Sequence, residues 1–267
     1  MIIIGEKING AIPSVATAIA EKNDEWIRDL ARRQSAAGAD FLDVCSAVPD
    51  KDVETLKWLI DLVQEVCDTP ICIDSPSADS IVEAIKFCNK PGLINSVSLE
   101  GDKIDKVFPV IADTDWKCIC LLCDSKKIPD TAQERIDIFG RLMEKVKEYN
   151  IDPSRIHIDP LVFSVGTKPD SFLAFQEVTR YVRNACPEIN ITSGLSNISF
   201  GIPSRKTVNQ AFLILAMEAG MNSAIIDPTS RQMIGSIYAT EVLLGKDEYC
   251  MEYITAYTED KFGKQKK

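Results

Sequence analysis

The sequence contains a single histidine, His157, among 267 residues. That scarcity leaves no set of imidazole ligands for zinc chemistry. A Ser–His–Asp or Cys–His hydrolase would have to be built on this one ring, and no Gly-x-Ser-x-Gly elbow accompanies it. Positive charge is also short: 30 Lys and Arg stand against 40 Asp and Glu, a formal net charge of −10. A nucleic-acid partner would want a basic face, so none is expected, although a pocket can still be locally positive. No apolar run is long enough to span a bilayer. The start, Met1 to Lys7, lacks the basic, then long apolar, then small-residue order of a signal peptide. A cytoplasmic protein without membrane association is therefore expected. No Gly-x-Gly-x-x-Gly follows the first strand-like run, which argues against a dinucleotide-binding domain. No linker or low-complexity stretch marks a second domain, so residues 1–267 read as one.

Cysteine is plentiful but unpatterned. The chain has 9, an odd number. Cys45, Cys72, Cys118 and Cys120 lie in apolar strand-like runs, and Cys67, Cys88 and Cys186 lie on helical patterns. Buried reduced thiols in a reducing cytosol account for them. The spacing closest to a metal motif, Cys118-Ile-Cys-Leu-Leu-Cys123, has no second pair and no histidine near it. No bound metal is expected. A core of this size needs neither disulfide nor metal to hold it.

What the chain does have is alternation. Short β-rich runs at Ile2–Ile4, Asp40–Val44, Pro70–Ser75, Gly92–Ser98, Trp116–Leu122, Arg155–Pro160, the start of 189–199 (which breaks at Gly194 into a polar turn) and Ser223–Asp227 are separated by stretches with apolar residues at helical spacing. The helical stretches are Glu25–Ala37, Asp52–Val66, one starting at Asp79, Asp105–Ile111, Asp130–Asn150, Ser171–Asn184, Arg205–Ala219 and Gln232–Leu244. Lys261–Lys267 reads as a frayed end. Eight strands alternating with eight helices imply a parallel sheet with right-handed crossovers. At this length, a closed (β/α)₈ TIM barrel fits better than an open sheet, since such barrels run to about 250 residues.

In such barrels the active site lies at the C-terminal ends of the strands. Those ends deliver Glu6 and Asn9, Asp43, Asp74 and Ser75, Asn95 and Ser96, Asp124, Asp159, Ser196 and Asn197, and Asp227. Taken singly, Asp, Asn and Ser after a strand often do no more than cap the next helix. Asp124 and Asp227 read most easily that way, and Asp43 as an orienting neighbour. Taken together, they form a ring of carboxylates and carboxamides. The ring lacks a glycine-rich phosphate loop near strands 7 and 8, and only Lys7 stands close behind a strand. Its groups suit a flat, nitrogen-rich heterocycle with N–H donors and a carbonyl: Asp accepts two N–H bonds side by side, and Asn reads a donor and an acceptor at once.

Five motifs sharpen this expectation: Ile4-Gly-Glu-Lys-Ile-Asn-Gly10, Ile73-Asp-Ser75, Leu93-Ile-Asn-Ser96, Ile158-Asp-Pro-Leu161 and Gly194-Leu-Ser-Asn-Ile-Ser199. Together with Ala211–Met217 and Ala219–Asp227 they resemble the pterin-binding methyltransferases. The nearest match is the group that moves a methyl between methyltetrahydrofolate and a corrinoid protein, to which the folate domain of cobalamin-dependent methionine synthase is related. Each motif is short, but they occur in register along essentially the whole chain.

The resemblance implies that Asp74, Asn95 and Asp159 bind the pterin ring and that the Asn197 carboxamide reaches N5. Ser196, Gly194 and Asn9 take supporting places. It implies Asp74 as part of a proton relay, (methyl)tetrahydrofolate as substrate, cobalamin supplied by a corrinoid protein docking on the barrel mouth, and a homodimer. The direction of transfer stays open. Phe200 stands where some members carry a polar residue, while Arg205 and Lys206 are candidates for the carboxylates of the folate tail. Two other readings remain. One is a dihydropteroate-synthase-like enzyme, disfavoured because Ser204-Arg-Lys206 comes later than that family's basic motif. The other is a non-catalytic pterin- or corrinoid-binding subunit.

Overall fold

The computed structural model describes residues 1–264. Eight parallel strands form one sheet in the order β7-β6-β5-β4-β3-β2-β1-β8. They are β1 (Ile2–Asn9), β2 (Phe41–Cys45), β3 (Ile71–Asp74), β4 (Leu93–Leu99), β5 (Lys117–Asp124), β6 (Ile156–Asp159), β7 (Asn190–Ile191) and β8 (Ser223–Ile226). The sheet closes on itself between β7 and β8. There the pairing thins to a single bridge, Gly194 to Ile225, with backbone bonds from Asn222 to Ile191 and from Ile225 to Ser193. The result is the expected eight-stranded barrel.

Around it lie α1 (Pro13–Ala20), α2 (Asp24–Ala36), α3 (Asp52–Gln64), α4 (Ala78–Ile85), α5 (Lys103–Ile111), α6 (Ala132–Glu148), α7 (Ser171–Ala185), α8 (Arg205–Ala219), α9 (Arg231–Leu243) and α10 (Met251–Thr258). Sequence sets their limits. Thr131 and Glu134 close a capping box at the start of α6, which satisfies N–H groups that would otherwise lack partners. Gly220, at φ 119°, stops α8 in a conformation that a side chain resists. Among the described residues no helix is long and apolar enough to cross a membrane.

The core has two layers because strand side chains alternate. One set packs outward against the helices: Ile8, Leu42, Val44, Ile73, Ile94, Cys118, Cys120 and Ile158 join the large cluster with helix residues such as Leu59, Phe108 and Phe175. The other set, Ile4, Phe41, Cys72, Leu93 and Ile119, forms a small separate plug. Two residues further along the same strands stand Glu6, Asp43, Asp74, Asn95 and Leu121. Period two therefore places the polar ring as the next layer above an apolar floor. His157, two residues before Asp159, lies below that ring. It is fully buried, its Nδ1 is 3.1 Å from Ser223 Oγ, and burial pushes its pKa down to about 3. The only histidine is thus a neutral core residue.

Four expectations need correction. β1 does not stop at Ile4; it continues to Asn9 through a register shift against β2 between Gly5 and Ile8. Such an irregularity re-aims side chains near a barrel rim. The strand expected before Gly194 is shorter than its composition suggests: only two residues pair as β7, and the polar turn expected after Gly194 winds into a 3₁₀ turn at Leu195–Ser199. The helices outnumber the strands, since α1 and α10 add to the eight expected from the periodicity. Finally, Lys261–Lys264 is docked rather than frayed: Phe262 is buried against Tyr238, Tyr253 and Tyr257, and Arg231 bonds the carbonyls of Asp260, Phe262 and Gly263. Residues 265–267 of that expected tail lie outside the described residues.

Candidate active site

The barrel mouth divides into two sectors. The first runs over β2, β3 and β4, where the ladder sets Cys45 beside Asp74 and Asp74 beside Asn95. Asn95 Nδ2 donates to Asp43 Oδ1 at 3.1 Å. Asp43 is buried; burial, then the neighbouring Asp74 charge, pushes its pKa up to about 8, against the pull of Cys72 and Asn95. Asp74 is half-buried. Burial raises its pKa to about 6, the Cys45 thiol pulls it down, and Asp52 pushes it up again. Asp52, read in the sequence only as a helix start, ties two loops together: it accepts from Ser46 Oγ and, at 2.6 Å, from Ser75 Oγ. Its role had no local signal, because its partners come from the ends of two other strands.

Asp159 stands on the opposite side, at the end of β6. It is buried and its pKa is pushed up to about 6 by burial, opposed by the N–H groups of Leu161 and Gly194 and by the charge of Arg135. The Leu161 N–H donates to Asp159 Oδ1 at 2.8 Å. Leu161 itself holds φ 64°, a left-handed conformation that costs a non-glycine residue about 1 kcal/mol or more.

The second sector lies over β1, β7 and β8. A cavity of about 330 Å³ is lined by Glu6, Lys7, Ser196, Lys206, Asn209 and Asp227, among others. Lys7 Nζ pairs with Asp227 Oδ2 at 3.0 Å. Burial raises the Glu6 pKa, against the Lys7 charge. The Asn209 side-chain oxygen is buried with no hydrogen-bond partner. Lys206 reaches this cavity. Arg205 instead braces the turn after β7, its Nη2 donating to Ser196 O at 2.7 Å and its Nε to Ser199 Oγ at 3.1 Å.

Asn197 sits on that turn, exposed at the rim. A Cβ placed on Gly194 would lie 3.1 Å from Asn197 Nδ2. The bare backbone of Gly194 therefore lets the carboxamide fold back over it, while the Gly194 N–H serves Asp159. Asn197 and Asp159 are thereby linked through one glycine. Asn9 is half-buried, and its side-chain oxygen accepts from Ala11 N–H at 2.8 Å, so that oxygen serves its own turn. Asp124 is a loop brace, as expected: it takes Arg141 and the Lys126 N–H, and Arg141 holds its pKa down. Asp227 does more than the sequence suggested, since it lines the cavity with Lys7. Among the described residues no group of three or more His, Cys, Asp or Glu is arranged to hold a metal.

An arc of buried and half-buried carboxylates with a carboxamide, over an apolar floor at the C-terminal mouth of a parallel barrel, is the arrangement of a site for a flat polar heterocycle. The chain belongs to the pterin binding enzyme family, whose model it matches over residues 9–227. Within that class, it is 48% identical over 266 residues to a methylcorrinoid:tetrahydrofolate methyltransferase of Eubacterium limosum, covering 98% of each chain. It is also 30% identical over 241 residues to methionine synthase of Mycobacterium tuberculosis, covering 85% of this chain and 20% of that protein. Among solved structures, a dihydropteroate synthase from Xanthomonas albilineans in complex with 7,8-dihydropteroate aligns with a TM-score of 0.64, at 16% identity, over 91% of this chain and 93% of that one. One from Coxiella burnetii in complex with pteroic acid aligns at 0.61, also at 16% identity, over 90% and 93%. At that identity the likeness speaks for the fold alone.

Proposed function

We propose that the protein is a methyltransferase that carries a methyl group from a methylated corrinoid to N5 of tetrahydrofolate. The observation that carries this reading is the near-full-length 48% identity to a methyltransferase named for that reaction. The barrel mouth supports it with groups suited to a pterin. Asp74 and Asp159 accept N–H bonds from opposite sides of the ring, and Asn95, held by Asp43, offers a donor and an acceptor. Ser196, Gly194 and Asn9 shape the rim around it.

Asn197 is the residue assigned to N5. As N5 takes up the methyl, its N–H becomes acidic, and the carboxamide oxygen accepts a bond that strengthens as the charge grows. In reverse, N5 is a poor leaving group, and the carboxamide N–H stabilises it as negative charge develops. Either way the gain comes mainly in the transition state. Asn197 has no titratable proton, so the proton must be passed on; the relay is assigned to Asp74, whose pKa near 6 suits it. The corrinoid arrives as a substrate on its own carrier protein, which docks over the strand-end face. A homodimer is part of the same proposal.

The test is direct. Methylcobalamin and tetrahydrofolate mixed with the protein should give 5-methyltetrahydrofolate, with the reverse transfer from 5-methyltetrahydrofolate to cob(I)alamin seen under reduction. Folate binding without transfer in either direction would leave a binding subunit and overturn the assignment. Light scattering checks the dimer. The synthase reading loses ground on Arg205, whose guanidinium bonds its own chain at Ser196 and Ser199.

A further inference from the structure

We propose that Arg135 is a positioning residue for Asp159, reaching it from the helix layer outside the barrel; this rests on the pterin reading above. Arg135 lies in the first turn of α6 and is the largest fully buried side chain among the described residues, at 0% exposure. Its Nη1 donates to Pro160 O at 3.1 Å and to Leu161 O at 2.8 Å. These carbonyls follow directly after Asp159. The guanidinium lies 5.4 Å from the centre of the Phe163 ring, whose other cationic neighbour is Lys168. Its Nε and Nη2 are buried with no hydrogen-bond partner.

Packing alone does not call for this residue. A methionine or leucine would fill similar volume without the cost of burying a guanidinium whose donors go half unused. What the arginine supplies, and no apolar residue can, is one Nη holding two adjacent carbonyls from the distance of α6, together with a positive charge. The grip fixes the Pro160–Leu161 peptide, and with it the left-handed Leu161 whose N–H orients the Asp159 carboxylate. The charge acts on the same carboxylate. Of the acids facing Arg135, Asp159 has the strongest hold, ahead of Asp170, Asp130 and Glu134. A pterin ring meeting Asp159 from inside the barrel would meet an acceptor aimed from outside it, beside a positive charge that opposes the rise in its pKa.

The measurement is folate affinity against pH for Arg135→Met, Arg135→Lys, Asp159→Asn and the double variant Arg135→Met/Asp159→Asn. Arg135→Met should raise the folate Kd by about tenfold or more and move the acid limb of binding to higher pH, because Asp159 then protonates more easily. Arg135→Lys, which keeps the charge but not the grip, should keep the wild-type acid limb while binding folate more weakly. In the Asp159→Asn background, adding Arg135→Met should change the Kd by less than about threefold, since the residue through which it acts is gone. An unchanged pH profile in Arg135→Met, or equal weakening in both backgrounds, would overturn the inference. If the methionine variant does not fold, wild-type affinity in Arg135→Lys would overturn it instead. Should Asp159→Asn alone leave the Kd unchanged, the pterin assignment itself fails, and this inference with it.

Discussion

Asn95 donates its side-chain amide to Asp43 Oδ1 at 3.1 Å, so a half-buried group of the polar layer is held by a buried one from the strand two places along the sheet. Asp43 has its pKa raised to about 8 by burial and by Asp74. In the folded protein it therefore keeps its proton well above the ordinary carboxylate range. Between the unfolded value near 4 and the folded value, the native state binds more protons than the unfolded chain, so this group's contribution to stability is lost as pH rises. Asp43→Asn should remove that slope, which is at most about 1.4 kcal/mol per pH unit. Urea melts at pH 5 and pH 8 should show the variant gaining on the wild type at pH 8; parallel behaviour at both pH values would contradict the assignment.

Asn197→Ala is expected to lower turnover by about 10²-fold or more, as loss of a transition-state hydrogen bond does, with a much smaller effect on folate affinity. Single-turnover methyl transfer beside a folate titration separates the two. Wild-type turnover in this variant would remove Asn197 from the chemistry.

Asp159→Asn should act mainly on binding. Replacing a two-oxygen acceptor by a carboxamide leaves one pterin N–H facing an NH₂ group, which costs about tenfold or more in folate Kd. In the wild type, Asp159 and Asp74 both have pKa values near 6. Folate affinity should therefore be full above that range and fall as pH drops through 6. A flat profile between pH 5 and pH 8 would count against both as acceptors.

Gly194→Ala probes the link between Asp159 and Asn197. The residue sits at φ −72°, so alanine meets no backbone penalty. The added methyl would press on Asn197 Nδ2 at 3.1 Å. Turnover should fall by about tenfold or more through misplacement of the carboxamide, while the Gly194 N–H, and hence folate binding, stays. Unaltered kcat would show that the carboxamide works from another position.

Phe262→Ala tests the docked end of the chain. The ring is 5% exposed and packs against three tyrosines, so its loss should cost about 3 kcal/mol. A clear fall in Tm with methyl-transfer turnover retained is expected; an unchanged Tm would mean that this packing adds no stability.

The barrel was legible because each buried parallel strand is an apolar run and each helix an apolar stripe. Asp74, Asn95 and Asp159 stood out for the same reason: each is a polar residue at the end of an apolar run. Residues that act across the chain were not legible. Asp52 reads as a helix start, yet Ser75, one of its two partners, lies 23 residues away; Arg135 stands in the first turn of α6, yet bonds Pro160 O 25 residues away. The extent of β7 was hidden too, because Ile189–Ile191 has strand composition but only two residues find a paired neighbour. Phe262 was lost among lysines, a single apolar residue in a charged end.

The thin closure between β7 and β8 has a mechanical consequence. A cylinder with seven paired ladders and one closure stitched by the Gly194–Ile225 bridge is expected to yield first along that line. Its amides should exchange with solvent sooner than those of β4 and β5, which share the richest pairing. The turn bearing Asn197 hangs from this seam, and the carboxylate arc of β2–β4 stands across from it. On the proposed assignment, a bound pterin would lie between the most thinly paired stretch of the wall and its most richly paired one.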